Sequence, residues 1–276
     1  MEIVERADAI DPVALARAID LLPIAGRVTW LPVTESTNRL ALEAAQTGAR
    51  RGIWVADEQT AGRGRGGHSW HSAACNGLYV SVLVTPELPL DRALWLSLAT
   101  GLAARRAILM TTGLLIDLRW PNDLLRGSRK LGGVLVESAV TKAAAGEPAV
   151  LRYAVIGVGI NVHHREFPPE IASLATSLDL EGERKTTRQK LLIAFLRELD
   201  RELDALEREN AGFTEGPTLL ARFTAASSWV CRKQVQVPED GGYTGITAGL
   251  DSRGFLLVED GSGRMRTVLS GGVRDL

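Results

Sequence analysis

Cysteine is scarce in this chain: Cys75 and Cys231 are the only two, and they sit at no metal-ligand spacing. A disulfide framework and a cysteine zinc site are therefore excluded, and a reducing, cytoplasmic compartment is expected. The four histidines, His68, His71, His163 and His164, lack the partners of a zinc site, so no metal ligand is assigned. Aromatic residues make up 5% of the chain and the net charge is −1. No global field draws such a chain to nucleic acid or to a membrane, and the basic, aromatic-studded face of a single-strand binder is missing. No apolar run approaches the ~18–20 residues of a membrane span. Residues 1–10 carry Glu2, Glu5 and Asp8 where a signal peptide would be apolar. What remains is globular in composition, 45% hydrophobic and 24% charged. The length suits one large domain, or one with a small appendage.

Periodicity and punctuation place the elements. Asp11-Pro12 opens a short helix over residues 11–22. Strands are predicted over residues 28–32, 52–58, 78–85, 116–120 and 150–162, and a hairpin joins 124–125 to 130–138 through Arg126-Gly127-Ser128-Arg129. A helix starts at Ser36-Thr37-Asn38 and stops at Gly48. An apolar helix over 91–110 reads as deeply buried. The helix over 186–210 is amphipathic, with Leu192, Phe195, Leu196, Leu199, Leu203 and Leu206 on one stripe. Residues 143–148 read as an exposed tip. After a helix over 216–226 the texture changes to short strands at 234–238, 244–249, 255–259 and 266–270, separated by Gly and Asp. This predicts a small all-β barrel beginning near residues 226–230.

Five segments are unusual for their place. Glu35-Ser36-Thr37-Asn38 sets three small polar side chains at a helix start, where one would suffice as a cap. Gln59 precedes a run in which Gly62, Gly64, Gly66 and Gly67 interleave with Arg63 and Arg65 and which ends at Trp70. Such a run reads either as a solvated basic loop or as one that closes over an anion with backbone N–H groups and guanidinium forks. Trp120-Pro121-Asn122-Asp123 sits at a strand end and also reads as a plain turn. Lys130-Leu131-Gly132-Gly133 heads a strand running to Glu137, and Gly157-Val158-Gly159-Ile160-Asn161 ends one. Glycine inside a strand marks close approach by a ligand or another chain segment. Neither the P-loop nor the dinucleotide fingerprint is present.

Taken together, these segments resemble biotin–protein ligase. The family's marks are a Ser-Thr-Asn triplet, Gln followed by Gly-Arg-Gly-Arg-x-Gly-x-x-Trp, Trp-Pro-Asn-Asp, Lys-x-Gly-Gly-x-Leu-Val-Glu and Gly-x-Gly-Ile-Asn. All occur here in that order, from Ser36 to Asn161. Two departures are His68, where Arg or Asn is more usual, and a long tip at residues 141–149.

The resemblance implies an α/β (α+β) fold. It would pair a mixed sheet and packed helices, like a class II aminoacyl-tRNA synthetase core, with an SH3-like C-terminal β-barrel. The implied division is a helical extension at 1–27, a catalytic domain at 28–228 and the barrel at 229–276. The implied reaction activates biotin with ATP and Mg²⁺ as biotinyl-5′-AMP, then passes the biotinyl group to a lysine of a biotin carboxyl carrier protein domain. Arg65, Lys130 and Asp123 are the implied catalytic residues, with Asp123 orienting or deprotonating the acceptor lysine. Ser36, Thr37, Asn38 and Gln59 would hold biotin. Gly62, Arg63, Gly64, Arg65, Trp70, Asn122, Lys130, Gly132, Gly133, Gly157, Gly159 and Asn161 would complete the binding site. The expected partner is the carrier domain, with no DNA and no membrane, and the expected state is a monomer or weak homodimer. The extension is too short for a winged helix, so a form without a DNA-binding domain is expected. The alternatives are a lipoate or other acyl-adenylating ligase on the same fold, and a non-enzymatic Arg/Gly-loop nucleic-acid binder.

Overall fold

The computed structural model describes residues 8–141, 149–182, 184–239, 241–270 and 272–276. Helix α1 (Pro12–Ile19) is capped by Asp11, which accepts from the N–H groups of Val13 and Ala14, and it buries Leu15 and Ile19. Strand β1 (Val28–Thr34), helix α2 (Thr37–Gln46) and strand β2 (Gly52–Gln59) form a crossover, so β1 and β2 pair parallel. Strands β3 (Gly77–Val84), β4 (Asp117–Arg119), β5 (Asp123–Arg126), β6 (Arg129–Val140) and β7 (Leu151–Asn161) add antiparallel neighbours. The sheet has seven strands in the order β1-β2-β3-β7-β6-β5-β4.

Every residue of β3 is buried, which explains a continuous apolar run in place of alternation. Its two faces meet different partners. Val80 and Val82 join the main core cluster that contains helix α3 (Ala93–Thr112), while Leu83 joins Ala41 and Ala45 of α2. The alternation along β3 therefore turns Ser81 toward α2. The same parity on β7 turns Gly157 and Gly159 that way, with Gly157 registered opposite Ser81.

A 3₁₀ turn at Leu90–Arg92 precedes α3. By length and composition the span Leu90–Thr112 is one that a membrane could hold, contrary to the expectation that no run comes close. Here its side chains are mostly buried, and it packs against the sheet and helix α5 (Arg188–Asn210). The short helix α4 (Leu178–Glu181) was not anticipated. On α5 the Leu192–Leu206 stripe is buried as expected. Helix α6 (Leu219–Ala226) starts later than expected, because Gly216 takes φ 86° and Thr218 caps the helix. The expected tip at 143–148 lies outside the described residues.

The C-terminal strands β8 (Cys231–Val237), β9 (Tyr243–Leu250), β10 (Leu256–Asp260), β11 (Met265–Val268) and β12 (Arg274–Asp275) form a five-stranded antiparallel sheet, ordered β11-β10-β9-β8-β12. Only β12, two residues long, was unread in the sequence. Val235, Val237, Leu256, Val258 and Val268 share the main core cluster. Trp120 Nε1 donates to Gly254 O at 2.9 Å and pins this sheet to the end of β4.

The start of the described chain is held by charge. Arg188, buried at 1% exposure, donates to Asp8 Oδ2 at 2.7 Å and Asp57 Oδ1 at 2.6 Å. His163 sits between Asp8 (3.1 Å) and Asp179 (3.2 Å), two carboxylates that favour the imidazolium form in which both ring nitrogens donate. The hydrogen bond to Asp8 outweighs burial and raises the His163 pKa above its usual value. A raised folded-state value gives stability that is complete below the unfolded pKa of ~6.5 and is lost as pH climbs through the folded one. The melting temperature is therefore expected to fall as pH rises above ~6.5, and His163→Gln to flatten that slope. Parallel melting profiles for the two proteins contradict this role.

Candidate active site

The floor of the site lies where α2 begins. Ser36 is the N-cap by position, yet its hydroxyl makes no capping bond. The free N–H of Thr37 is instead met from a neighbouring strand by Gln59 Oε1 at 2.9 Å. Thr37 and Asn38 are buried and both touch the Ser81 hydroxyl, at 2.8 and 2.5 Å. Asn38 Nδ2 donates to Glu137 Oε2 at 2.9 Å. A Cβ on Gly157 would overlap Asn38 Oδ1, and one on Gly159 would lie 2.5 Å from Trp70 Nε1. These strand glycines thus admit two side chains of the same protein.

The Gly/Arg run closes on itself. Trp70 N–H donates to Gly62 O at 2.9 Å and Gly64 N–H to His68 O at 2.7 Å. The single turn at Arg65–Gly67 uses φ 69° at Gly66 and 80° at Gly67, conformations that suit glycine. Arg63 is exposed and Arg65 half-buried. Burial lowers the Arg65 pKa, opposed by the charges of Glu239 and Asp123, and the guanidinium stays charged. His68 is exposed with its ring 3.7 Å from where a Gly66 Cβ would sit.

Beside the loop, Asp123 is clamped by Lys130 Nζ at 2.5 Å and Arg119 at 2.6 Å. Burial pushes its carboxyl up, but the two cations and their hydrogen bonds prevail and hold it below the usual carboxylate range. It is ionised at neutral pH. Lys130 Nζ also lies 5.6 Å from the centre of the Trp70 ring. The β5–β6 register shifts between Leu124 and Leu125, where pairing steps from Gly132 to Lys130.

Two cavities flank this group. The first, of about 50 Å³, is lined by Ser36, Thr37, Asn38 and Gln59 on its floor, by Gly133, Gly157 and Gly159 on its sheet side, and by Arg63 of the loop. The second, of about 660 Å³, adds Arg119, Asp123, Ser270 and Arg274. Gly64, Arg65, Trp70, Asn122 and Lys130 line both. The structure therefore brings most of the sequence-derived residues around one point.

Three of them lie outside both cavities. Asn161 is buried with its amide donating to Thr176 O at 2.9 Å, so it braces the chain after β7. Gly132 admits Gly159 O, which a Cβ would meet at 2.7 Å, and Gly62 admits Ser72 Oγ and Trp70 O at the same distance. Asn122 lines the site, but its side-chain amide is committed to Val134 O at 2.9 Å. Sequence reasoning missed Ser72, Ser81, Arg119, Glu137 and Arg274. Ser81, a lone hydroxyl among the aliphatic residues 80–84, was the readable signal.

Residues 30–161 match the biotin/lipoate A/B protein ligase family, and residues 233–273 match the biotin protein ligase C-terminal domain. A biotin–[acetyl-CoA-carboxylase] ligase of Mycobacterium tuberculosis is 34% identical over 247 residues, covering 87% of this chain and 85% of that protein. The bifunctional ligase/repressor BirA of Bacillus subtilis is 33% identical over 238 residues, covering 84% of this chain and 69% of that protein. Among solved structures, the biotin protein ligase from Aquifex aeolicus in complex with biotin and ATP aligns with a TM-score of 0.73. Its identity is 28%, over 90% of this chain and 97% of that one. With both matches in chain order and the likeness running through both sheets, this chain belongs to the biotin protein ligase family.

Proposed function

We propose that this protein joins biotin to ATP as biotinyl-5′-AMP and then transfers the biotinyl group to a lysine of a biotin carboxyl carrier protein domain. The observation that carries this reading is the wall shared by the two cavities. A reaction between two bound molecules needs their reacting ends at one point, and Lys130, Arg65 and Trp70 stand where the cavities meet.

The first step brings a carboxylate against a polyphosphate, two groups that repel. A carboxylate oxygen of biotin attacks the α-phosphorus, and the bond to the bridging oxygen breaks to release pyrophosphate. Lys130 and Arg65 offset the charge gathered there, in a half-buried setting where fixed cations act strongly. The larger cavity lies within the ~300–1,000 Å³ range of small-molecule sites. Arg119 and Arg274 add guanidinium groups for phosphate or ribose oxygens at its rim. Among the described residues no group of three acidic or histidine side chains could hold a metal. Mg²⁺ enters as part of the MgATP substrate, bound chiefly through phosphates and water.

In the second step the acceptor ammonium first gives up a proton to water, and the free amine attacks the biotinyl carbonyl carbon. The C–O bond breaks with its electrons leaving on AMP, and the nitrogen's surplus proton passes to the departing phosphate or to water. Asp123 is held ionised by Lys130 and Arg119. Its role is to hold Lys130 in place and, with the remaining lone pairs, to orient the incoming ammonium. We assign residues 28–228 as the catalytic domain and 229–276 as the SH3-like domain, whose Ser270, Gly272, Val273 and Arg274 line the larger cavity. The described part of the 1–27 extension, from residue 8 on, packs on the catalytic domain through Leu15 and Ile19.

The smaller cavity is too tight for a bicyclic ligand while the Trp70 indole rests on Gly159 with its N–H buried and unpartnered. Biotin binding is expected to displace that indole. Titration with biotin should change the tryptophan emission, the change should vanish in Trp70→Phe, and lipoate should neither cause it nor compete. An equal response to lipoate would favour the lipoate-ligase alternative. No response to biotin would remove the proposed site.

A further inference from the structure

We propose that Ser81 and Ser72 are positioning residues that join the floor of the small cleft to the neck of the Gly/Arg loop through one continuous network of hydrogen bonds that meets at Thr37. The inference rests on the reading of that cleft as the biotin site.

The donors and acceptors follow from counting protons. A serine hydroxyl has one proton to give. Asn38 turns its Nδ2 to the Glu137 carboxylate, so Oδ1 faces Ser81 and can only accept. The Ser81 proton therefore goes to Asn38. The 2.8 Å contact between Ser81 Oγ and Thr37 Oγ1 is then a hydrogen bond only if Thr37 donates. Gln59 Oε1 has two lone pairs and accepts from the Thr37 N–H at 2.9 Å whether or not it also accepts from the Thr37 hydroxyl, 3.1 Å away. This orients the Gln59 amide, whose Nε2 donates to Ser72 Oγ at 3.0 Å. Ser72 passes its own proton to Trp70 O at 3.3 Å, where the Gly/Arg loop ends.

Two consequences follow for binding. Thr37 Oγ1, with its one proton committed to Ser81 or to Gln59, presents lone pairs to the cleft and is set to accept from an N–H of a cyclic urea. The carbonyl of Trp70 is tied to the same chain, so the neck of the loop senses whether the floor is in order. Ser81 is fully buried and Ser72 is 5% exposed, so neither needs to touch the ligand to act. Gly62 completes the arrangement, because a side chain there would strike Ser72 Oγ and Trp70 O.

The test compares the full-length protein with Ser81→Ala, Ser72→Ala, the double variant and Ser72→Thr. Biotin affinity by calorimetry, KM for ATP and the release rate of the adenylate are read for each. Ser81→Ala is expected to weaken biotin on the order of tenfold while KM for ATP stays unchanged. Ser72→Ala is expected to speed adenylate release several-fold, and Ser72→Thr to restore it. In the double variant the combined loss should be smaller than the product of the single losses, because both hydroxyls serve one chain. Should Ser81→Ala fail to fold, Ser81→Cys, with its weaker donor, should give a partial loss of biotin affinity. Strictly multiplicative losses would overturn the proposal. So would equal weakening of biotin and ATP together with a lower melting temperature, which marks a merely structural role. Variants matching a biotin-binding wild type overturn it alone, whereas a wild type that binds no biotin overturns the functional reading as well.

Discussion

Lys130→Ala is expected to slow adenylate formation by about 100- to 1,000-fold, the usual consequence of removing one pre-organised charge from a reacting centre. The ammonium lines both cavities and is anchored by Asp123 at 2.5 Å, so its position is set before either substrate arrives. The fold should survive, because Asp123 keeps its two-point contact with Arg119 at 2.6 and 3.1 Å. Lys130→Arg should not restore the rate fully, since a planar fork replaces a point charge. Single-turnover release of pyrophosphate is the measurement. A rate within a few-fold of wild type, with an unchanged melting temperature, would remove Lys130 from the chemistry.

Arg65→Ser should act on the intermediate more than on its formation. Arg65 stands on the loop that borders both cavities, and among the described residues no carboxylate pairs directly with it. Its nearest opposing charges, Glu239 and Asp123, act at a distance. The guanidinium is thus free for the phosphate of the adenylate, a charge-assisted contact whose loss should raise the release rate about 10- to 100-fold. Released biotinyl-5′-AMP is an activated acyl donor, and it should label lysines of bystander proteins without selection. Mass spectrometry of a mixture containing a carrier domain and an unrelated protein reads this out. Label confined to the carrier domain, with an unaltered release rate, would show that the loop does not hold the intermediate.

The parts of the fold that the sequence disclosed are those where local pattern and tertiary burial agree. The stripe on α5 and the Gly-stopped helix α2 have clear periods and ends. Strand β3 reads from composition alone, since burial on both faces leaves no alternation. Where the local signal was weak, the reading failed. Strand β12 is two residues long and exists because Arg274 and Asp275 find Gln236 and Val235 to pair with. At the site, the motifs marked the right neighbourhood because their oddness was local: glycines in strands, polar triplets at a helix start. They did not say what each residue does there. Asn161 ends a motif yet binds Thr176, and the glycines at 157 and 159 make room for Asn38 and Trp70. Glu137, Ser81 and Arg274 act through partners far away in the chain, and no window along the sequence contains both ends of such a contact.

The central claim is that one protein holds both substrates and keeps their product. It is tested by incubating the protein with MgATP and carboxyl-labelled biotin, passing the mixture through a desalting column, and then adding an apo carrier domain. The account predicts label that travels with the protein only when ATP is present, one pyrophosphate released per label retained, and quantitative passage of the label to a single lysine of the carrier. Label that fails to stay with the protein, or that stays equally well without ATP and never reaches the carrier, would contradict it.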